Sequence, residues 1–211
     1  MTQELQASAE GRRPVVTIYE SYGAGAGEMG HLVAAALRLP FHRQAFSSEA
    51  IEGSHNHVLA EEARFLERMI AVLAATFGPE SSGADPVVER YRAELIAENE
   101  RQVAEAAARG GVIVGRNAAR LLTDRPRTLH VMLTGSTEDR LQRAMTEAGI
   151  TREHAQRRQA HEDHIRADMA IALFAWDPRQ REHYDLVADT SRIPLDAIAD
   201  LIVASIRTLP D

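Results

Sequence analysis

The residues with the clearest chemical potential are glycines. Gly23, Gly25 and Gly27 alternate with Ala24 and Ala26 just before Glu28-Met29-Gly30, and such a loop lets backbone N–H groups approach a bound anion. When a helix follows at once, its free N–H groups and dipole favour negative charge at the same place, so phosphate is the expected guest. The lysine-bearing form of this loop, G-x-x-x-x-G-K-[ST], places Lys on the terminal phosphates and a hydroxyl on magnesium. Here Ala26 stands in the lysine slot, Glu28 in the hydroxyl slot and Glu20 at the leading glycine. The cradle keeps its shape and loses its charge, and a tight strand-to-helix turn without any ligand is the alternative reading.

Arginine is the next candidate. All 24 basic residues are Arg, so phosphate chemistry in this chain must run on guanidinium and backbone groups. Arg116 follows the apolar run Val112-Ile113-Val114, where it either grips a phosphate in bidentate fashion or pairs with an acid. Arg166, with Arg157 and Arg158, either closes over phosphates or forms a solvated helix face. Arg140 and Arg143 lie three apart, placed for the same site or for a surface pair with Glu147. His161, His164 and Asp168 share a helix face at a spacing that could hold a metal, but with no further ligand nearby in sequence they read as polar surface. His55 and His57 read as a polar turn. Ser21, Ser136 and Ser191 lack the G-x-S-x-G context of a hydrolase nucleophile.

These residues need a parallel sheet to bring them together. Val15 to Tyr19 is a β-branched strand signal, and Met29, Leu32, Val33, Ala36 and Leu37 follow at helical spacing. Phe41 to Arg43 reads as a short strand. Ser47-Ser48-Glu49 starts a helical stretch with apolar positions from Val58 and Leu59 through Phe77, and Gly78-Pro79 with 81–86 makes a break. A second helix is expected from about Val87 to Ala108, completing an inserted helical pair. From Gly110 strands and helices alternate: strands at 112–114, 128–133 and 184–189, helices at 117–122, 137–148, 152–174 and 193–206. Alternation of this kind implies crossover connections and a parallel sheet. Ligands then sit beyond the strands' carboxyl ends, where loops 23–27, 115–117, 134–136 and 189–191 are expected to meet.

Composition narrows the partners. With a net charge of −7 and no extended basic face, a polyanion has nothing to track, and 5% aromatic content argues against base-stacking surfaces. Nucleic acid is therefore not an expected partner. No apolar run is long enough to span a bilayer. The lack of cysteine excludes thiolate chemistry, and with no signal-like segment the cytoplasm is the expected compartment.

Four stretches, in order, resemble the cytidylate kinase-like family of the P-loop superfamily. Tyr22 to Gly30 looks like its Y-G-S-G-G-R-E-I-[AG] loop, and Val112 to Arg116 like its V-I-V-G-R strand end. Glu138-Asp139-Arg140-Leu141 and Tyr184-Asp185-Leu186-Val187 with Thr190-Ser191 resemble its E-D-R-[IL] and Y-D-L-V-x-N-T-S segments. The resemblance implies an α/β, three-layer P-loop NTPase fold, with a helical nucleoside-monophosphate-binding insertion over 47–109 and a helical lid over 150–180. Residues 1–13 would be a disordered tail and 14–211 a single domain.

By the same resemblance Gly23, Ala24, Gly25, Ala26, Gly27 and Glu28 would hold the phosphates of ATP with Mg2+. Arg116 and Asn117 would hold an acceptor monophosphate, and Arg166 and Asp163 would act from the lid. The departures are specific: Asn117 replaces the acid of G-R-D, and Gln159 and Glu162 replace lid arginines. Phosphoryl transfer rests mostly on positioning and charge stabilisation. Two functions follow: a kinase moving the γ-phosphoryl of ATP to a monophosphate or other small acceptor, and an inactive relative that senses a nucleotide or binds a protein. A homodimer through the apolar 58–77 helix, with the loop purely structural, is a third expectation.

Overall fold

The computed structural model describes residues 13–43, 60–78 and 85–210. The expected tail, apart from Arg13, the Ser47-Ser48-Glu49 helix start, His55, His57, Val58, Leu59 and residues 79–84 of the break lie outside the described residues.

Strand β1 (Val15–Glu20) is the centre of a five-stranded parallel sheet with β2 (Phe41–His42), β3 (Gly111–Val114), β4 (Thr128–Thr134) and β5 (Leu186–Asp189). The order across the sheet is β2-β3-β1-β4-β5. β1 pairs with β3 from Val15 opposite Gly111 to Ile18 opposite Val114, and with β4 from Val15 opposite Thr128 to Glu20 opposite Leu133. A strand flanked on both edges and both faces is buried on both sides, which is why Val15, Val16 and Ile18 are almost fully buried and Thr17 shares its hydroxyl with His130.

Helices cover both faces. On one, α1 (Ala26–Leu37) and the last helix, α7 (Leu195–Thr208), pack Met29, Val33, Ile198, Ile202 and Ile206 against Val16, Ile18, Val131 and Leu133. On the other, α3 (Pro86–Ala108) sets Val103, Ala106 and Ala107 against Val15 and Ile113, beside the short α4 (Ala118–Leu121). The expected three-layer parallel architecture is therefore present.

α2 (Ala60–Phe77) and α3 form the helical insertion. α5 (Thr137–Ala148) leads to the long helix α6 (Arg152–Phe174), which packs Met169 and Ala172 onto Met69, Val72 and Leu95. Local signals set the helix ends. Asp85 accepts a hydrogen bond from Val87 N at 2.8 Å with Pro86 at the first helical position of α3, Thr151 caps α6, and Gly149 takes the left-handed conformation after α5.

Several boundaries differ from the sequence reading, three of them for a visible reason. Arg116 and Asn117 have φ of 57° and 52°, so α4 starts only at Ala118. A 3-10 turn at Arg181–His183 delays β5 to Leu186, and Pro194 at the N-cap starts α7 at Leu195.

Candidate functional site

The glycine loop joins β1 to α1 as expected. Gly23 and Gly25 have φ of 79° and 92°, left-handed values that a side chain would strain. Helix α1 begins at Ala26, directly after Gly25, so its first N–H groups face the loop. What they meet is carboxylate. Ala26 N donates to Glu20 Oε2 at 2.9 Å, and Tyr22 N donates to Asp163 Oδ1 of α6 at 2.7 Å.

Two arginines of α5 hold the same loop from the other side. Arg140 donates from Nη1 to the Tyr22 carbonyl (2.9 Å) and to Asp163 Oδ2 (3.1 Å), and from Nε to the Gly135 carbonyl (3.2 Å). Arg143 donates from Nη1 to the Gly23 carbonyl and Thr190 Oγ1, both at 3.0 Å, and from Nη2 to the Thr190 carbonyl at 3.1 Å. The surface-pair alternative for Arg140 and Arg143 does not hold, because α5 lies over the loop and turns both guanidinium groups inward. Leu195 and Arg143 pack closely against Gly25, and Glu28 stands exposed on the first turn of α1. Burial, together with neighbouring Glu20, pushes the Glu147 carboxyl above its ordinary range, a sign of negative potential around the loop.

The loop therefore does not fit the phosphates of Mg2+-ATP as it stands. Two of its donors, Tyr22 N and Ala26 N, are taken by Asp163 and Glu20, the lysine and hydroxyl are missing, and the neighbouring charge is acidic.

Beside the loop lies a cavity of about 410 Å3, bounded by the ends of β1 and β3, by α2 and α3 of the insertion, and by α6. Arg116, Asn117 and Arg166 all line it, while none of residues 23–28 does. Arg116 is turned by its left-handed backbone, donates from Nε to the Arg43 carbonyl at 2.8 Å and bonds Gln102 Oε1 through Nη1. Asn99 Nδ2 holds the Arg116 carbonyl at 2.9 Å. Burial pulls the Arg116 guanidinium below its usual range, an effect that Glu98 opposes.

Arg166 pairs through Nη2 with Glu162, a carboxylate with no exposure, while its Nε and Nη1 are buried without a hydrogen-bond partner. Buried unpaired donors cost stability unless a ligand meets them. Tyr19, also on the cavity wall, is pushed up to about 12 by burial and then by Asp163, so its hydroxyl stays protonated and able to donate.

The expected site residues thus separate into two places. Asp163 joins the glycine loop, and Arg116, Asn117 and Arg166 join the cavity next to it. Sequence reasoning missed Glu20 as a loop ligand, Arg140 and Arg143 as loop clamps, and Asn99, Gln102 and Trp176 as cavity walls. Glu20 at the carboxyl end of a central strand was the signal for the first. Among the described residues no group of three or more His, Asp or Glu is arranged to hold a metal, and no helix is long and apolar enough to cross a membrane.

The sequence matches the profile of the cytidylate kinase-like family over residues 15–192. The chain belongs to that family. Among solved structures, an uncharacterized protein from Eubacterium ventriosum superposes with a TM-score of 0.65 at 19% identity, covering 93% of this chain and 99% of that one. This likeness supports the fold. A shikimate kinase from Acinetobacter baumannii in complex with shikimate gives a TM-score of 0.49 at 16% identity, over 96% and 97% of the two chains. A curated relative, the uronate isomerase of Corynebacterium glutamicum, is 36% identical over 110 residues, which is 52% of this chain and 21% of that protein. The cytidylate kinase-like chain thus spans about a fifth of that relative's length.

Proposed function

We propose that this cytidylate kinase-like protein is a cytoplasmic binding module that holds a small anionic molecule, a nucleotide or another phosphorylated or acidic compound, in the cavity between the strand ends and α6. On this reading it does not transfer a phosphoryl group from ATP. The observation that carries the proposal is the contrast between two sets of donors. In the glycine loop Tyr22 N and Ala26 N are taken by the chain's own carboxylates, whereas Arg166, on the cavity wall, keeps two buried donors without a partner. Transfer requires donors preorganised for the phosphoryl group in flight, and Glu20 and Asp163 stand where those donors would act.

A second reading, an ATP- and Mg2+-dependent kinase acting on a nucleoside monophosphate or other small acceptor, is favoured by the left-handed Gly23 and Gly25 and the helix start at Ala26. It requires Glu20 and Asp163 to leave the loop.

Calorimetric titration of ATP, ADP, CMP and dCMP with and without magnesium, run beside a coupled ADP-release assay, separates the two. Binding that is insensitive to magnesium, with no ADP release, supports the module. Magnesium-dependent ATP turnover with any monophosphate overturns it. The similarity to a segment of a uronate isomerase adds uronates to the panel.

Self-association through the insertion belongs to the same proposal. It is supported by Ile70 and Phe77, which are 61% and 52% exposed two turns apart on α2. Sedimentation at two concentrations tests it, and a concentration-independent monomer removes it.

A further inference from the structure

The cavity has two chemically different ends. At the strand ends it presents Arg116, Asn117 and Arg166; toward the insertion and lid its walls are Phe65, Leu66, Met69, Leu95, Met169 and Leu173. The apolar end belongs to the cluster that packs α2, α3 and α6 together. Met69 and Met169 give it a soft, adaptable lining.

A nucleobase would bring several donors and acceptors into that end and find none to answer them. Each unanswered group weakens binding by about 5- to 150-fold. Two of the three amides at the polar end are already engaged. Asn99 holds the Arg116 carbonyl, and Gln102 accepts from Arg116 while donating to Glu98 Oε1 at 2.5 Å.

The charge at the polar end is also limited. Arg166 is half answered by the buried Glu162, and Glu98 stands near Arg116. What remains suits one negative charge better than two. The unused Nε and Nη1 of Arg166 are buried behind the cavity wall, and a small turn of the side chain would bring them to that charge.

We propose that the cavity takes a carboxylic acid with an apolar body, its carboxylate on Arg166 and its aliphatic or aryl part among the side chains of α2, α3 and α6. This rests on the reading of the cavity as the binding site and goes beyond it by naming the ligand's chemistry. The arrangement orders ligands by two independent features, a single charge and the apolar surface behind it. Each further buried methylene then tightens binding about three- to fourfold.

The test is calorimetry of the full chain with acetate, butyrate, hexanoate, octanoate and 3-phenylpropionate, with 1-octanol and CMP as controls. Arg166→Gln and Leu66→Gln are the variants. The expected result is affinity that climbs from butyrate to octanoate, no saturable binding of 1-octanol, and at least a tenfold loss for octanoate in Arg166→Gln. Leu66 is only half-buried, so Leu66→Gln is expected to fold and to weaken octanoate several-fold while leaving acetate unchanged. If circular dichroism shows that Arg166→Gln does not fold, the Leu66→Gln arm decides.

A flat response along the acid series, or octanoate binding that survives both substitutions, overturns the proposal. CMP binding in the cavity more tightly than octanoate overturns it too, yet leaves the binding module standing. ADP release from ATP would instead remove the module without touching the ligand series.

Discussion

Replacing Glu20 by alanine should turn the glycine loop into a better anion site and make the protein less stable. Glu20 Oε2 accepts from Ala26 N at 2.9 Å, and Ala26 is the fully buried first residue of α1. Stranding such a donor costs about 1–3 kcal/mol; Glu20 itself is half-buried, so solvent relieves part of this and about 1–2 kcal/mol is expected. For a domain of this size each kcal/mol moves the melting temperature by about 2–4 °C, which places the drop at roughly 2–8 °C. The second consequence has the opposite sign. Removing a carboxylate from the loop removes repulsion of any incoming anion, and a gain of only 1.4 kcal/mol is about a tenfold gain in affinity.

Thermal unfolding with increasing pyrophosphate checks both at once. An anion at one hundred times its dissociation constant adds about 2.7 kcal/mol to the folded state. The Glu20→Ala protein should therefore start lower and gain more from pyrophosphate than the parent protein does. Glu20→Gln, which keeps an acceptor and loses the charge, should fall between them. A variant with the parent's melting temperature and the parent's response to pyrophosphate would show that the carboxylate does not hold the loop.

Three further outcomes follow from the same geometry. Gly23→Ala should destabilise the fold by several kcal/mol, because φ is +79° and an added Cβ would fall on the Arg140 carbonyl; denaturant midpoints measure it. Asp163→Asn should loosen α6 from the loop without unfolding the sheet, so hydrogen exchange should rise at Tyr22 and along α6 while β1 amides stay protected. Burial holds His130 below its ordinary range, against Asp185 and a bond to the Leu122 carbonyl, and His130 Nδ1 pairs with Thr17 Oγ1 at 2.8 Å. The unfolded chain then binds a proton first, so stability present above about pH 6.5 is lost as pH falls through that value, at about 1.4 kcal/mol per unit of pKa depression. Denaturation midpoints at pH 8 and pH 5 should separate in the parent and separate less in His130→Gln.

The parallel sheet was legible because its centre announces itself. Val15 to Ile18 is β-branched, buried on both faces and followed by glycines, and no helix or exposed strand explains that combination. Arg116 and Arg166 stood out, the first at a strand end and the second through the family resemblance, and both line the cavity. The direction of Glu20 was not. A carboxylate at the end of a strand turns toward solvent or toward an N-terminus according to what else occupies the loop, and sequence carries no local sign of the choice. Arg140 and Arg143 were ambiguous for a related reason, since a spacing of three serves a surface pair and a buried clamp equally well. The hydrogen bond from Tyr22 N to Asp163 joins positions 141 apart, and only the docking of α6 creates it.

An all-arginine chain makes the division between loop and cavity chemically consistent. Arg140 and Arg143 spend their donors on Tyr22, Gly23, Gly135, Asp163 and Thr190, and Arg116 spends its own on Arg43 and Gln102. Donors satisfied within the chain stabilise the fold and rigidify the loop, but the same satisfaction leaves little for a transferring phosphoryl group. A working phosphate loop accepts the opposite condition, holding donors unsatisfied until substrate arrives. Arg166 meets that condition, with Nε and Nη1 both buried and unpaired. If binding energy is stored in unmet donors, it is stored at α6 above the cavity, and a ligand that satisfies Arg166 should stabilise the protein more than one directed at the glycines.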